Sequence, residues 1–288
     1  MLGNLGRGGN LADLFEVDLL AAALLPRAVR FTCTCIPPVK LESDFDLIVR
    51  LRGAWGQKIR SRAHAGCPAA DALLRACFGN GHAVRPYLID VRSRDIYISV
   101  SLTLIGSAHI WQDCAFETFV AMLTEAPGIA LTLDATSNRL PWRLLDARSE
   151  RVEMFDPGQL MSSARVDIRQ PLRLGAGKSL SVGLESLFSG LARRVRELAA
   201  WSHARVRPDN GSVPSIAQFG RVRPMRLEHA AFWRNSSRAQ VRAIHIGLIG
   251  NFMVEEMTPL GWALLRFGEE FGAGQEISLG LGRVDIAV

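Results

Sequence analysis

The sequence predicts an α+β protein made of two copies of one β-α-β-β-α-β unit. Three observations predict this fold. Strands in which apolar and polar residues alternate occur in both halves of the chain, and amphipathic helices separate them in the same order twice. The hydrophobic share of 48% over 288 residues is enough to form two packed cores rather than a disordered chain.

The first unit is predicted over residues 28–146, after an N-terminal extension over residues 1–27. Residues 30–36 open it as a half-buried strand, because every second residue from Phe31 is apolar. A helix, a helical insertion, two strands, a helix and a strand then follow from hydrophobic periodicity and from breaks at Gly and Pro, over residues 43–62, 64–82, 85–91, 96–104, 113–125 and 129–133.

The second unit is predicted over residues 163–288, beyond a linker between Asp146 and Ser163. Thr258 followed by Pro259 is typical of a helix start, since the threonine hydroxyl can cap the first turn and proline fits there. The order is strand, helix, strand, strand, helix and strand, over residues 164–168, 184–198, 219–227, 244–255, 259–271 and 279–286. The chain is therefore predicted to contain two tandem ferredoxin-like, RRM-like domains.

Positive charge is concentrated in one part of the chain. The net charge is +6, and only three of the 34 basic residues are lysines. Residues 193–242 contain eleven arginines and three acidic residues, which gives this window +8 and leaves −2 for the rest. Arginine is common in chains from GC-rich genomes, but a basic block on an otherwise neutral chain indicates an anionic polymer as partner.

Several classes of protein do not fit the composition. Five cysteines without an export signal do not predict a disulfide framework, and no cluster of Asp, Glu, His or Cys has metal-ligand spacing, so we expect neither a metal nor a cofactor. The apolar run at residues 19–25 is too short to cross a bilayer. We therefore expect a cytoplasmic protein without a membrane partner.

Glycines punctuate the last predicted strand and the turn before it, at Gly272, Gly274, Gly280 and Gly282, followed by Arg283. Glycines allow close backbone approach and expose amides that can cradle a phosphate. Spacing alone also fits an ordinary helix-to-strand turn with a flattened strand, so both interpretations stay open at this point.

Five segments in order resemble one known family. They are Leu51–Arg60, Val84–Ile89, Pro171–Arg173, Trp233–Arg242 and Gly272–Arg283. In sequence and order they resemble the CRISPR-associated RAMP-superfamily endoribonucleases that process pre-crRNA, the Cas-six family. The resemblance covers residues 25–288, and the arginine-rich, tyrosine-poor composition is similar to a divergent variant of type IV systems.

The resemblance implies a function and a mechanism. Members bind the stem-loop or single strand of CRISPR repeat RNA and cut it without a metal. The ribose 2′-hydroxyl attacks the adjacent phosphate, which gives a 5′-hydroxyl and a 2′,3′-cyclic phosphate. We expect the protein to stay bound to the mature crRNA and to meet other subunits of a CRISPR effector complex.

The resemblance also implies roles for particular residues. His64 is expected to move protons beside Lys58, while Arg238 and Arg242 stabilise the charged phosphorane. The expected RNA-binding residues lie in the first helix, the basic block and the glycine-rich segment: Arg50, Arg52, Arg60, Arg62, Arg193, Arg194, Arg196, Arg234, Ser236, Ser237, Gly272, Gly274, Gly280, Gly282 and Arg283. The three arginines from 193 to 196 are expected to point away from the apolar stripe of their helix.

Alternatives remain from the residues themselves. His64 also fits a solvated loop histidine, and the outward arginines also fit an ordinary charged helix face. At the level of function, a RAMP-type subunit that holds crRNA without cutting it is the main alternative. An enzyme for small anionic substrates is a third.

Overall fold

The computed structural model describes residues 27–38, 44–79, 84–94, 96–125, 141–152, 160–174, 186–202, 219–236 and 241–287. Within these residues the chain forms two four-stranded antiparallel sheets, each with helices on one face. The predicted N-terminal extension, except Arg27, lies outside the described residues.

Among its described residues the first domain contains four strands and three α-helices. In chain order they are β1 (Ala28–Ile36), α1 (Asp44–His64), α2 (Pro68–Phe78), β2 (Tyr87–Arg94), β3 (Tyr97–Ile105), α3 (Gln112–Thr124) and β4 (Arg143–Arg151). A 3-10 turn over Gly106–Trp111 joins β3 to α3. The strand order across the sheet is β2-β3-β1-β4, which is that of a ferredoxin-like domain.

Within the part of the chain that the structure describes, the second domain repeats this order with four strands and two α-helices. They are β5 (Ala164–Leu172), α4 (Leu187–Ala199), β6 (Arg221–Ser236), β7 (Val241–Glu255), α5 (Pro259–Phe271) and β8 (Val284–Ala287). The sheet order β6-β7-β5-β8 matches the first sheet strand for strand. The prediction of two tandem ferredoxin-like domains is therefore confirmed.

Alternating side chains build each core, as the sequence predicts. Phe31, Cys33 and Cys35 of β1 are buried against α1 and α3, whereas Thr32 and Thr34 lie on the opposite face of the sheet. In α5, the Thr258 hydroxyl accepts a hydrogen bond of 3.1 Å from the Gly261 N–H, which is the predicted cap.

The fourth strand of the first sheet differs from its predicted position. The strand predicted over residues 129–133 lies outside the described residues. β4 is instead Arg143–Arg151, paired with β1 from Ile36↔Arg143 to Val29↔Arg151. It thus runs through the start of the segment that we interpreted as a linker. Seven of its nine residues are exposed in a continuous run, so they leave no apolar alternation for a sequence pattern to detect.

Candidate nucleic-acid interface

A buried ionic cluster joins the two domains. Asp90 of β2 accepts a hydrogen bond of 3.2 Å from Arg283, which precedes β8, and the two side chains are 7% and 4% exposed. Arg169 of β5 contacts the same carboxylate at 3.3 Å and donates to Asp285 at 2.7 Å. Burial alone would raise the pKa of Asp90, but the charges of Arg283 and Arg169 outweigh it and lower the pKa to about 2.

Arg283 therefore has a different role from the predicted one. Its guanidinium donates to Asp90 and to the main-chain carbonyl of Glu270, and it is buried rather than presented to a ligand. In this structure Arg283 is a contact between domains. Its proposed contact with RNA would require this joint to open.

The glycine-rich segment wraps around the edge strand β2. At Gly280 (φ +91°) a Cβ would lie 2.6 Å from Ile48 Cγ2 of α1, and at Gly282 (φ +71°) it would lie 1.7 Å from the Ala273 carbonyl oxygen. The 3-10 turn Ile277–Leu279, immediately before Gly280, packs on β2 and α1. Glycine is thus required at Gly280 for close packing on the first domain, and at Gly282 for close packing within the segment itself.

Four main-chain amides of this segment are bonded to carbonyl groups of the protein itself. The Ala273 N–H donates to the Gly282 carbonyl and the Gln275 N–H to the Arg173 carbonyl, both at 2.8 Å. The Gly280 N–H donates to the Ile277 carbonyl at 2.9 Å, and the Gly282 N–H to the Pro171 carbonyl at 2.8 Å. Gly272, Gly280 and Gly282 are buried and Gly274 is half-buried. The expectation of amides free to cradle a phosphate is wrong for the amides of Gly280 and Gly282, and the turn-and-strand interpretation describes the segment better.

A cleft of about 380 Å³ lies at the C-terminal end of α1 and contains two of the predicted catalytic residues. His64 is exposed at the last position of the helix, and Lys58 pairs at 2.9 Å with Glu125, the residue that follows α3. The lining consists of one face of α1 and one residue of α3: Ala54, Gln57, Lys58, Arg60, Ser61, His64 and Met122. The cleft thus brings together a histidine, an ammonium group, an exposed guanidinium and small polar groups.

The other arginines of α1 divide into two kinds. Arg52 donates to the Tyr87 hydroxyl at 2.7 Å and lies over the Phe78 ring at 5.5 Å, so it is part of the packing of β2 and α2. Arg62 pairs with Glu117 at 2.5 Å and is 43% exposed. Arg60 is exposed, and Arg50 is half-buried and engaged with the chain. Arg60 and Arg62 therefore present charge beside the cleft.

Strands β6 and β7 extend beyond their sheet as a two-stranded ribbon. β5 pairs with β7 from Leu248 to Val254, whereas β6 continues to pair with β7 as far as Ser236↔Val241. The backbone of Arg242 lies opposite Asn235, next to Arg234, so three predicted residues (Arg234, Ser236 and Arg242) map to this ribbon. Arg238 and Ser237 lie outside the described residues.

Helix α4 carries three arginines that were predicted to point outward, and one of them does not. Arg193 is exposed as expected, and Arg196 is half-buried. Arg194 is buried, 8% exposed, and its Nε donates to the Phe271 carbonyl oxygen at 3.0 Å. Burial lowers the pKa of Arg194 to about 10. The prediction that Arg194 faces outward is wrong, because the end of α5 covers that side of α4.

The predicted residues form two separated groups on α1. Gly280 contacts Ile48 near the start of the helix, and His64 lies sixteen residues further on, about 24 Å away along the axis. Among the described residues no group of three metal-ligating side chains occurs, and no described helix is long and apolar enough to span a membrane.

The Asp90 cluster was not predicted from the sequence. Asp90 lies in an otherwise apolar stretch of β2, and its partners are Arg169 and Arg283, 79 and 193 residues away. The sequence did contain one signal of the cluster. An acidic residue in a buried strand needs a positively charged partner, because an unpaired carboxylate is unstable there. What the sequence could not show is which arginines neutralise it.

The fold is a pair of ferredoxin-like domains joined at a glycine-rich segment, and two long strands of the second domain extend as a ribbon. Residues 166–284 match the family described as CRISPR-associated endoribonuclease Cas6, and this range includes the ribbon, α5 and the glycine-rich segment. The resemblance is thereby confirmed for the three of the five segments that lie within this range, Pro171–Arg173, Trp233–Arg242 and Gly272–Arg283.

Solved structures share the fold over nearly the whole chain. A Cas6 product complex aligns with 91% of this chain and 100% of its own at 13% identity, with a TM-score of 0.54. A structure described as an RAMP protein binding different RNA substrates aligns with 90% and 100% at 15% identity and a TM-score of 0.51. A Cas6-related protein from Pyrococcus furiosus aligns with 90% and 98% at 14% identity and a TM-score of 0.50. No curated protein sequence matches the chain.

Proposed function

We propose that this protein binds CRISPR repeat RNA, cuts pre-crRNA at one position in each repeat and stays bound to the product. The observation that carries the proposal is the match of residues 166–284 to an endoribonuclease family. The paired fold supports it, since one solved protein of this fold is described as a Cas6 product complex and another as binding different RNA substrates.

The phosphate track in this proposal runs over the exposed arginines. Arg193, Arg60 and Arg62 are accessible at the surface, and the ribbon adds Arg234 and Arg242 by its register. Such contacts with phosphates hold and orient RNA without reading its sequence. Base identity would then be read from splayed bases or groove edges by the same ribbon.

The chemistry needs no metal in this proposal. A base removes the proton of the ribose 2′-hydroxyl, the 2′-oxygen attacks the adjacent phosphorus, and the 5′-oxygen leaves with a proton from an acid. His64 has an imidazole that can do either task, and it is exposed beside Lys58 in the α1 cleft. The guanidinium groups of Arg238 and Arg242 would stabilise the phosphorane, because an arginine stays charged and donates no proton at neutral pH.

One observation favours the alternative, a crRNA-binding subunit that does not cut. Tyr87 is fully buried and bound by Arg52, and burial raises its pKa to about 12, so its hydroxyl is excluded from proton transfer. Lys58 is engaged with Glu125. Proton transfer in the cleft therefore depends on His64 far more than on its neighbours.

Incubation of the full chain with repeat RNA in excess EDTA separates these functions. Cleavage at one position, with a 2′,3′-cyclic phosphate on the upstream fragment, supports the proposed enzyme. Tight binding of RNA that stays intact supports the non-cutting subunit. Equal affinity for repeat RNA and an unrelated RNA of the same length, without cleavage, contradicts both.

A further inference from the structure

Strand β4 is the one long sheet edge that stays open among the described residues. The first sheet ends at β2 and β4, and the second at β6 and β8. The glycine-rich segment packs on β2, β6 carries Pro224 beside a bulge, and β8 is only four residues long. Covering, proline, bulges and short length are the usual ways in which proteins block an edge. Between Ala147 and Arg151, β4 has none of them, and every residue there is exposed.

The main chain of β4 turns its polar groups alternately towards β1 and towards the open edge. The Val152 N–H donates to the Ala28 carbonyl at 3.0 Å, so the even-numbered residues just before it also point their N–H and C=O groups at β1. The same groups of Ala147, Ser149 and Arg151 therefore point away from the sheet. The side chains of Ala147 and Ser149 lie on the helix side and are small, so they leave room for a further strand.

The charged side chains along this edge complement those of a second copy of the chain. Arg148 and Glu150 are exposed on the face of the sheet away from the helices, on either side of Ser149. When two β4 strands run antiparallel about a two-fold axis at Ser149, Arg148 of each copy lies opposite Glu150 of the other. An axis at Arg148 places like charges opposite each other, and an axis at Ala147 reaches the bulge at Leu145. Charge on an edge hinders pairing with strands in general, so this match selects a second copy.

We propose that β4 joins two copies of this chain into a symmetric dimer. Residues 147–151 of one copy pair antiparallel with the same segment of the other, and about six main-chain hydrogen bonds satisfy the outward N–H and C=O groups of both strands. The two first-domain sheets thus become one continuous sheet with the two β4 strands at its centre. The contact involves a short segment of each copy, so we expect a weak dimer that dissociates in the micromolar range. The inference concerns the free protein and does not rest on the proposed function.

Sedimentation velocity on the full chain, without RNA, tests whether the dimer exists. The wild type should pass from monomer to dimer as its concentration rises, with the dimer in the majority at about 100 µM. Because no RNA is present, the result is independent of the proposed nuclease. A wild-type chain that stays monomeric up to that concentration, or that forms a trimer or a larger assembly, would overturn the proposal.

Charge reversal tests the register of the pairing. Arg148→Glu alone and Glu150→Arg alone should each stay monomeric, since each change places like charges opposite each other across the axis. Mixed in equal amounts, the two variants should form a heterodimer, because opposite charges then face each other again. The control is Arg226→Glu, which makes the same change beside Glu228 on the edge strand β6 and should dimerise like the wild type. Single variants that still dimerise, or a mixture that stays monomeric, would exclude this pairing.

A cysteine at the proposed axis gives an independent readout. In this pairing the Cα atoms of the two Ser149 residues lie about 5.5 Å apart, a distance that a disulfide can span. Mild oxidation of Ser149→Cys should therefore give a covalent dimer linked at that position, which dithiothreitol separates. Arg151→Cys is the matched control, because its two copies lie about 13 Å apart across the axis and should not link. Failure of Ser149→Cys to link, or equal linking by Arg151→Cys, would contradict a two-fold axis at Ser149.

Discussion

The Asp90 carboxylate of the first domain and the Arg283 guanidinium of the second are joined at 3.2 Å in a site from which solvent is almost excluded. Arg169 adds a second positive charge at 3.3 Å and links the site to Asp285. A buried carboxylate is stable only when it is paired. The first domain supplies the carboxylate, and the second domain supplies the two guanidinium groups that pair with it. The relative position of the two domains therefore depends on this cluster.

Replacement of Asp90 by Asn should destabilise the protein by about 3–5 kcal/mol, because it leaves buried guanidinium charge without its anion. Urea unfolding measures the loss. The matched control is Asp167→Asn, whose carboxylate pairs with Arg165 at 2.7 Å on the exposed surface. That change should cost about 0–1 kcal/mol. Equal losses in the two variants would show that the cluster does not join the domains.

The same carboxylate predicts how stability depends on pH. Its pKa is about 2 in the folded protein and 3.8 when unperturbed, so the folded value is depressed. The stabilisation is complete above the unfolded pKa and is lost as pH falls from about 4 towards 2, and it amounts to about 2 kcal/mol. Unfolding measured between pH 6 and pH 3 should show about the first half of this loss in the wild type and a smaller slope in Asp90→Asn. Parallel slopes would contradict the assignment.

Gly280→Ala should destabilise the contact between the glycine-rich segment and α1. The new Cβ meets Ile48 Cγ2 at 2.6 Å at a φ of +91°, and a branched side chain packed in a core yields little, so we expect a loss of about 1–3 kcal/mol. The control is Gly53→Ala on the exposed face of α1, where a Cβ meets nothing within 4 Å. That variant should gain up to about 1 kcal/mol. A loss in Gly53→Ala as large as that in Gly280→Ala would refute the packing argument.

Two neighbouring arginines of α4 should have different effects when replaced by alanine: Arg194 on stability and Arg193 on RNA binding. Arg194→Ala removes a buried donor from the Phe271 carbonyl and should cost about 2 kcal/mol or more in thermal unfolding. Arg193→Ala should change stability by less than about 0.5 kcal/mol and reduce the slope of log affinity for RNA against log salt by about 1. An Arg193→Ala variant with unchanged salt dependence would remove Arg193 from the phosphate track.

Local patterns in the sequence predicted most of the fold. The alternation from Phe31 and the Thr258–Pro259 start signal each produced an element close to its observed position. β4 was misplaced because its nine residues, from Arg143 to Arg151, are almost all exposed and include charges of both signs. A strand that buries little has no periodicity to detect.

The site was predicted less well, because its contacts join residues that are far apart in the sequence. Arg194 was assigned outward from its own helix, and nothing in that helix encodes the end of α5 that covers it. The glycines were identified correctly as positions of close approach, but their neighbours turned out to be Ile48 and the Ala273 carbonyl rather than a phosphate. Contacts between residues far apart in sequence leave no local signal.

The most direct test of the central claim is cleavage of repeat RNA that carries one 2′-deoxy nucleotide immediately 5′ of the cut. With EDTA present, unmodified RNA should be cut at that position, and the deoxy substrate should bind equally well but stay intact. His64→Ala should likewise bind RNA but cut it at least about 100-fold more slowly than the wild type. The control His109→Ala, in the turn after β3, should cut at the normal rate. Continued cleavage of the deoxy RNA at the same position would contradict attack by the 2′-hydroxyl.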